Sequence, residues 1–375
     1  MNENGYDPRG QFPEMPEVKR RYTPEEAGHD TRRKPVSRIR RRRRKSLNPG
    51  VLLICLILAA VIGVSLYLII SGKNRTALPQ ETSGVSAGET TEPLESVDDG
   101  RDWYTVTVSE AQIYVGDLIL VNASTEYRFP AEAENSITAV SSLKNGYYLL
   151  ADPDAKLEPK VIESFNRLCS DYYAYSGFAY MQVNSAYRSR DDQISIYNQY
   201  TESYGAEYAK AYVANPGFSE HHTGLAMDLN INRNGAISYV ESDEGAAWFR
   251  ENAGNYGFIL RYPSDKVYMT GINYESWHYR YVGTPHSLIM NDMNMCLEEY
   301  ERFLKDYTYD TTRIAYNNAT GVEYVPAEED ANGRTLIYYA PSEGEETEIK
   351  IPKGYTYELS GNNTDGFIIT ANPDA

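Results

Sequence analysis

Hydrophobic and polar positions divide this chain of 375 residues into parts of different character. The residues from Val51 to Ile70 form an apolar run without a charge. As a helix with a rise of about 1.5 Å per residue, this run spans the roughly 30 Å hydrocarbon core of a bilayer. It is too long and too far along the chain for a secretory signal peptide, and it lacks a small-residue cleavage site. We therefore predict one transmembrane helix over residues 51–70.

The composition changes after this run. Residues 71–101 are rich in Ser, Thr, Glu and Gly, and they lack the apolar content for a core, which predicts a flexible extracellular linker. Residues 102–308 show both helical and strand-like periodicity. Helical patterns cover 158–175, 191–213, 242–256 and 285–306, and strand patterns cover 103–121, 179–186, 225–231 and 277–282. Because strands and helices alternate irregularly, we predict an α+β domain rather than a doubly wound sheet.

The last part of the chain has another pattern. Residues 309–375 carry Tyr-rich alternating runs between Gly, Asn and Pro turns, which predicts a small β-rich appendage. It contains no cluster of catalytic residue types, so a binding or spacer role is the default interpretation. Upstream of it, Cys169 and Cys296 lie in apolar helical patterns, where one disulfide and two buried free thiols are both possible.

The charge distribution predicts the orientation of the apolar run. Residues 1–50 hold 14 Lys and Arg against 7 Asp and Glu, and the arginine-rich stretch 37–45 directly precedes the run. Since Lys and Arg resist translocation, we expect residues 1–50 to be a disordered cytoplasmic arm at the cell membrane and the rest of the chain to be extracellular. A basic block at this place favours the lipid bilayer as its partner, and no nucleic acid.

Candidate metal ligands occur in two short segments that hold three of the five histidines, with His286 just beyond the second. The first segment, 219–228, reads SEHHTGLAMD, and the second, 275–278, reads ESWH. Together they offer imidazoles, an aspartate and an additional glutamate. A catalytic zinc site requires these groups: three protein ligands, an open position for water, and a base.

Strand geometry brings part of this set together. In a strand over 225–231 the apolar residues share one face, and Asp228 projects from the other, where a buried carboxylate requires a cation or hydrogen-bond donors. In the second segment, alternation separates His278 from Trp277 and leaves Glu275 on the tryptophan side. We therefore predict a bend near Ser276 that turns the Glu275 carboxylate toward His278.

Each residue also has a plainer interpretation. A lone buried histidine is more often a hydrogen-bonded core residue than a ligand, Asp228 could cap a turn, and Glu275 could lie on the surface. Trp277 could be core packing, and an arginine such as Arg188, which follows a strand, is usually a surface charge. The joint occurrence of these groups in two strand-like segments favours the metal site.

The motifs resemble those of the zinc D,D-carboxypeptidases of the vancomycin-resistance VanY type, which share the lysostaphin/D-Ala-D-Ala-peptidase/hedgehog fold. The matching patterns are Tyr187-Arg188-Ser189-x-x-x-Gln193, Ser219-x-His221-x-x-Gly224-x-Ala226-x-Asp228 and Glu275-x-Trp277-His278. The resemblance extends over about residues 103–306. It implies an α+β fold with a small mixed or antiparallel sheet and flanking helices.

The resemblance also implies roles for individual residues. His221, Asp228 and His278 are expected to bind one Zn²⁺ per chain, with Glu275 as the base for the attacking water. Arg188 is expected to stabilise the scissile carbonyl as it becomes an oxyanion. The positions expected to contact substrate are Ser219, Gln193 and Trp277. His222 occupies a variable position of the family and is left out of the ligand set, and we interpret His286 as structural.

These expectations combine into one function: a membrane-anchored extracellular zinc D,D-carboxypeptidase that removes the terminal D-alanine from peptidoglycan stem peptides. The same constellation also serves L,D-carboxypeptidases, D,D-dipeptidases and wall endopeptidases. A non-catalytic wall-binding module is the alternative from a different class, and the intact Glu275 and Arg188 count against it.

Overall fold

The computed structural model describes residues 102–374, except 318, 328 and 330–332. The predicted cytoplasmic arm (1–50), transmembrane helix (51–70) and linker (71–101) lie outside the described residues. Within the described part, no helix is both long enough and apolar enough to cross a membrane.

The described part is a mixed α+β structure, as predicted. Its helices are α1 (Ala131–Ser136), α2 (Val140–Leu143), α3 (Pro159–Ser176), α4 (Arg190–Tyr204), α5 (Ala206–Tyr212), α6 (Ala247–Asn252), α7 (Val267–Thr270), α8 (His286–Asp292) and α9 (Leu297–Leu304). Short 3₁₀ helices cover Glu110–Tyr114, Glu220–Thr223, Glu244–Ala246 and Ala253–Tyr256. The strands are β1 (Trp103–Ser109), β2 (Thr138–Ala139), β3 (Leu149–Leu150), β4 (Lys156–Leu157), β5 (Met181–Ser185), β6 (Ala226–Arg233), β7 (Ala236–Tyr239), β8 (Phe258–Tyr262), β9 (Glu275–Tyr281), β10 (Thr312–Asn317), β11 (Gly321–Pro326), β12 (Leu336–Pro341), β13 (Glu346–Pro352), β14 (Tyr355–Gly361) and β15 (Gly366–Pro373).

The first sheet carries the predicted site. Its strand order is β3-β5-β6-β9-β8, with β7 paired to β6 beyond the end of β9. Only β3 and β5 are parallel among these pairs. As predicted, alternate residues of β6 and the residue before it lie in the core; these are Leu225, Met227, Leu229 and Ile231. Asp228 lies directly opposite His278 on β9, so their side chains share the other face.

Helix α3 covers the core face of this sheet. It begins with Pro159 in its first turn, where the missing N–H costs no hydrogen bond, and it ends at Gly177, whose φ of 72° suits a left-handed cap. The residues it buries recur at helical spacing and include Val161, Phe165 and Leu168. The predicted helix over 158–175 is therefore confirmed.

Two predicted helices are broken. The pattern over 191–213 forms α4 and α5, which are separated at Gly205 with a φ of 91°. The pattern over 285–306 forms α8 and α9, and the chain between them turns at Asn294 with a φ of 50°. A positive φ is incompatible with a continuous right-handed helix, which explains both breaks.

The strand predicted at the end of 103–121 is wrong. β1 ends at Ser109, and the residues 118–121 have no regular pairing within a strand. Side chains from distant elements satisfy their backbone instead: Nη2 of Arg280 donates to the carbonyl oxygens of Asp117 and Ile119, and Nδ2 of Asn363 donates to that of Leu120. These apolar residues are buried without a β-ladder.

The second sheet is antiparallel, with the order β11-β10-β12-β15-β14, and it lies within the 309–375 segment. β1, near the start of the described part, pairs with β13 of the same segment. His286 links α8 to this region, because its ring nitrogens lie 2.8 Å from the Tyr300 hydroxyl and 2.9 Å from Oγ1 of Thr370. His286 is thus structural, as expected. The domain boundary at residue 308 stays a prediction.

Candidate metal centre and active site

The three predicted metal ligands meet at one point. His221 comes from the 3₁₀ turn Glu220–Thr223, Asp228 from β6 and His278 from β9. All three are buried, and one potential ligand atom of each lies within 4.8 Å of those of the other two. Strands β6 and β9 and the 3₁₀ turn before β6 therefore assemble the predicted set.

Hydrogen bonds show which imidazole nitrogens are available. Nδ1 of His221 lies 2.7 Å from the Ala186 carbonyl oxygen, which can only accept, so Nδ1 donates and Nε2 of the neutral ring carries a lone pair. That Nε2 lies 3.4 Å from Oδ1 of Asp228. In His278, Nε2 lies 3.3 Å from Oε2 of Glu220, which leaves Nδ1 at 3.1 Å from the same Asp228 oxygen. When both rings are neutral, Nε2 of His221, Nδ1 of His278 and Oδ1 of Asp228 are three acceptor atoms that lie close together. Such a set of acceptors suits a cation.

The protonation of the cluster agrees with this fit. Burial and the neighbouring Arg188 lower the pKa of His221 to about 4, so this ring is neutral at pH 7. Burial also opposes charge on His278, but its hydrogen bonds with Asp228 and Glu220 outweigh burial and raise its pKa to about 9. The carboxylates of Asp228 and Glu220 therefore stabilise a proton on His278. A divalent cation carries twice the charge of that proton and can replace it between the same groups.

Glu220 orients His278 by accepting a hydrogen bond from its Nε2. The sequence analysis did not identify this residue. Its carboxylate is buried, and Oε1 accepts hydrogen bonds from Nε of Arg261 at 2.7 Å and from Nη1 of Arg280 at 2.9 Å. Burial acts to raise the pKa of Glu220, but the two guanidinium groups hold it well below its usual range. Glu298 neutralises Arg261 with two further hydrogen bonds of 2.8 and 2.7 Å. The one sequence feature that could have identified Glu220 is its position directly before the predicted ligand His221.

Glu275 reaches the centre through the predicted bend. The pairing of β8 with β9 shifts between Leu260 and Tyr262, so Tyr262 lies opposite Glu275 and Leu260 opposite Tyr279. This bulge interrupts the alternation of β9 and brings Oε2 of Glu275 to 3.8 Å from Nδ1 of His278. The prediction of a bend near Ser276 is confirmed.

The environment of Glu275 suits proton transfer near neutral pH. Burial raises the pKa of its carboxyl to about 8, although His278 and Arg188 oppose the rise. A group with such a pKa can take up a proton and release it again at the same pH, which is the property required of a general base that later acts as an acid.

Arg188 lies beside the cluster and is held by three side chains. Nη2 lies 2.9 Å from Oδ2 of Asp228, Nε donates to Oγ of Ser185 at 3.0 Å, and Nη1 donates to Oε1 of Gln193 at 3.3 Å. Gln193 is buried, and its Nε2 donates to the Ala214 carbonyl oxygen at 2.8 Å. The guanidinium is therefore fixed next to the candidate ligands.

His222 is excluded from the ligand set by its own contacts. Nδ1 lies 2.7 Å from the Arg188 carbonyl oxygen, and Nε2 accepts from the Gly217 N–H at 3.1 Å. Both ring nitrogens are therefore occupied, and the residue fixes the backbone of Arg188. The prediction that His222 is not a ligand agrees with the structure, because both of its ring nitrogens make hydrogen bonds within the protein.

The other predicted site residues lie at the margins of the cluster. Ser219 is buried directly before the 3₁₀ turn that carries His221. Trp277 is half-buried, and its ring packs against that of Tyr239 on β7, with the centroids 5.6 Å apart. Cys169 and Cys296 are both buried and free.

Comparisons with known proteins agree with the geometry. The sequence profile of the family VanY, D-alanyl-D-alanine carboxypeptidase, matches residues 154–284. A D-alanyl-D-alanine carboxypeptidase of Enterococcus faecium is 35% identical over 288 residues, which is 75% of this chain and 84% of that protein. The bifunctional D-Ala-D-Ala dipeptidase and D-Ala-D-Ala carboxypeptidase VanXYC of Enterococcus gallinarum is 36% identical over 41% of this chain and 82% of its own length.

A solved structure extends this similarity to the fold. The vancomycin-resistance D,D-dipeptidase VanXYg, in complex with a D-Ala-D-Ala phosphinate analogue, has a TM-score of 0.60 and 31% sequence identity. The match covers 72% of this chain and 99% of that chain. The resemblance inferred from the motifs is confirmed, and this chain belongs to the VanY family of D-alanyl-D-alanine carboxypeptidases, which are zinc metallopeptidases.

Proposed function

We propose that this chain is a zinc D,D-carboxypeptidase that removes the terminal D-alanine from peptidoglycan stem peptides outside the cell. The observation that carries the proposal is the convergence of three acceptor atoms from His221, Asp228 and His278, with Glu275 and Arg188 at its edge. The similarity to the Enterococcus faecium carboxypeptidase supports the same reaction.

The three ligands would hold one zinc ion through Nε2 of His221, a carboxylate oxygen of Asp228 and Nδ1 of His278. Zinc, when bound, supplies a Lewis acid for the scissile carbonyl and lowers the pKa of a water molecule. Glu220 fixes the tautomer of His278 by accepting from Nε2, and the Ala186 carbonyl fixes that of His221 in the same way.

The proton transfers are assigned to Glu275. Its carboxylate takes a proton from the attacking water and delivers it to the amine of the departing D-alanine, so that one residue serves both half-reactions. Arg188 places a fixed positive charge beside the centre, where the carbonyl oxygen gains negative charge. Gln193 acts through its hydrogen bond to Arg188, while Ser219 and Trp277 are assigned to substrate contact.

The experiment that tests this assignment compares products. The purified full chain is incubated with a pentapeptide stem, with a tetrapeptide stem and with free D-alanyl-D-alanine. We expect D-alanine and tetrapeptide from the first substrate and little product from the second. Release of D-alanine from the tetrapeptide alone would instead indicate an L,D-carboxypeptidase, and an absence of turnover with all substrates would support a binding module.

A D,D-dipeptidase activity is the second candidate. It is favoured by the similarity of the fold to VanXYg, which is described as a D,D-dipeptidase. Hydrolysis of free D-alanyl-D-alanine at a rate comparable to that of the pentapeptide would establish it.

The membrane anchor is part of the same proposal. The apolar run 51–70, the basic stretch 37–45 before it and the polar linker 71–101 support an N-terminus in the cytoplasm and a catalytic part at the outer side of the cell membrane. Residues 102–308 are assigned to catalysis, with the D-Ala-D-Ala-peptidase/hedgehog fold, and 309–375 to the β-rich appendage. Protease added to wall-stripped cells should remove a C-terminal epitope and spare one near residue 5. The opposite pattern would reverse the orientation.

A further inference from the structure

A series of buried hydrogen bonds leads from the candidate metal centre to helix α9. Oε2 of Glu220 lies 3.3 Å from Nε2 of His278, and Oε1 of Glu220 accepts from Nε of Arg261 at 2.7 Å. Nη1 and Nη2 of Arg261 donate to the two carboxylate oxygens of Glu298, at 2.8 and 2.7 Å. Glu298, the second residue of α9, is therefore connected to a predicted zinc ligand through only two side chains.

The members of this series are removed from solvent. Arg261 is 0% exposed, Glu220 is 1% exposed and Glu298 is 7% exposed. A buried charged group depends on its partners for its position, because water cannot replace a lost hydrogen bond there. Two parallel N–H···O bonds to one carboxylate are the contact that restricts a guanidinium most. The direction in which Nε of Arg261 points, toward Glu220, is therefore determined by Glu298.

The second guanidinium group at Glu220 does not replace the first. Nη1 of Arg280 donates to Oε1 of Glu220 at 2.9 Å, and the other nitrogens of Arg280 donate to backbone carbonyl oxygens. Arg261 and Arg280 thus meet on Oε1 and leave Oε2 for His278. If Arg261 turned away, a single donor would hold the Glu220 carboxylate, which could then rotate and move Oε2 away from the imidazole.

Glu298 is itself held in place. Nδ2 of Asn122 donates to its Oε1 at 3.2 Å, and Oδ1 of Asn122 accepts from the backbone N–H groups of Ser124 and Thr125 at 3.0 and 3.1 Å. Apolar residues of α9 pack in one buried cluster with residues of the second sheet; these are Leu297, Tyr300 and Leu304 of the helix and Ile314, Ile337 and Ile368 of the sheet. The series of hydrogen bonds therefore ends on a helix that the 309–375 segment holds in position.

We propose that Glu298 is a positioning residue of the metal centre. Through Arg261 and Glu220 it fixes the imidazole of His278 in the orientation that leaves Nδ1 for the metal. The β-rich segment 309–375 supports metal binding in the same way, because it packs against α9. The inference rests on the proposed function, since it takes His278 to be a zinc ligand.

The neighbouring Glu299 provides a matched control. Its Oε1 accepts from Nζ of Lys266 at 3.2 Å, and its Oε2 accepts from the Cys296 N–H at 3.0 Å. The Glu299 side chain is 25% exposed. Glu299→Gln removes the same charge from the same helical turn, and it preserves the cap because Gln also accepts a hydrogen bond at this position. An effect of charge alone, or of α9 stability alone, would appear in both variants.

The test measures the Kd of zinc for the full chain by competition with a chelator. Glu298→Gln should raise this Kd about tenfold, the low end of the range for residues that orient a metal ligand. Glu299→Gln should leave it within about twofold of the wild type. At limiting zinc, D-alanine release by the Glu298→Gln protein should fall by a similar factor and recover with excess zinc, because the three ligands and Glu275 are retained. A damaged fold would not recover.

Glu298→Asp separates geometry from charge and decides the question if Glu298→Gln does not fold. It keeps the negative charge but is one methylene shorter, so it cannot make both hydrogen bonds to Arg261 from the same backbone position. We expect the Kd of zinc to rise at least about threefold. Wild-type zinc affinity in either folded Glu298 variant would overturn the proposal. Equal losses in Glu298→Gln and Glu299→Gln, or turnover that excess zinc does not restore, would also overturn it.

The wild-type chain distinguishes this inference from the proposed function. Zinc binding and D-alanine release by the wild type, with no effect of the Glu298 variants, would overturn the positioning role and leave the carboxypeptidase assignment intact. A wild-type chain that binds no zinc would contradict the proposed function as well.

Discussion

Nε2 of His278 lies 3.3 Å from Oε2 of Glu220, and this contact joins the candidate metal centre to a buried charge network. The other oxygen of Glu220 binds Arg261 and Arg280. Against the opposing effect of burial, the carboxylates of Glu220 and Asp228 together stabilise a proton on His278 and raise its pKa to about 9. A divalent cation bound at Nδ1 would take the place of that proton, while Nε2 would keep its hydrogen bond to Glu220.

Glu220→Gln should weaken both the fold and the metal site. The substitution removes the negative charge between two buried guanidinium groups, so we expect a loss of about 3–5 kcal/mol in the free energy of unfolding. The amide keeps only one acceptor oxygen, so if that oxygen stays with Arg261 and Arg280, the NH₂ group faces Nε2 of His278 and no longer orients it, which should lower zinc affinity by roughly 10–100-fold. Denaturant unfolding and zinc competition with a chelator measure the two effects. The control is Asp310→Asn, which breaks the exposed pair with Lys350 and should cost at most about 1 kcal/mol. If Glu220→Gln and Asp310→Asn changed stability and zinc affinity equally, the buried charge network around Glu220 would contribute no more than an exposed ion pair.

His278→Ala should remove most of the bound zinc, because it deletes one of three protein ligands. His286→Ala provides the comparison: this histidine is equally buried but binds Tyr300 and Thr370, so its loss should reduce stability and leave zinc in place. Elemental analysis of both proteins gives the answer. Full zinc occupancy in the His278→Ala protein would exclude this residue from the ligand set.

Glu275→Gln should keep zinc and lose turnover. The amide cannot accept the proton of the attacking water, and the removal of a general base typically lowers the rate by about 10²–10⁴-fold. The measurement is the kcat for D-alanine release at a verified zinc content. A zinc-loaded variant with near-normal turnover would require a different base.

The carboxyl of Glu301 on α9 makes stability depend on pH. Burial raises its pKa from 4.5 to about 8, partly opposed by Lys305, and Oε1 has no partner among the described residues. Because the folded state binds this proton more tightly than the unfolded state, its contribution to stability is full below about pH 4.5 and is lost as the pH rises to 8.

Glu301→Gln should remove this part of the pH dependence. The variant should match the wild type near pH 4.5 and exceed it at pH 9, by roughly 1–4 kcal/mol. Denaturant unfolding at pH 5, 7 and 9 tests this, with Glu163→Gln on the exposed face of α3 as the control. If the free energy of unfolding changed with pH in the same way in Glu301→Gln and in the wild type, this would contradict the raised pKa assigned to Glu301.

The residues that sequence reasoning placed correctly are those with a local signature. Helix α3 and strand β6 follow periodicities that any short window shows, and the ligands lie in motifs of fixed spacing. The bend at Ser276 followed from the requirement that Glu275 approach His278. In each case neighbouring residues in the sequence carry the information.

The features that were missed depend on distant residues. The backbone of 118–121 looked like a strand, but Arg280 and Asn363 satisfy its polar groups from other parts of the chain. The role of Glu220 depends on Arg261, Arg280 and Glu298, which no local pattern connects. Likewise, the pairing of β1 with β13 joins residues more than 230 positions apart.

Reconstitution of D-alanine release tests the central claim most directly. The purified full chain is stripped of metal, zinc is added in steps, and D-alanine released from a pentapeptide stem is measured. We predict that release is absent without metal, rises with added zinc and reaches a plateau at one zinc per chain. Full release from the metal-free chain, or no release at one zinc per chain, would contradict the assignment of His221, Asp228 and His278 as the centre of a zinc D,D-carboxypeptidase.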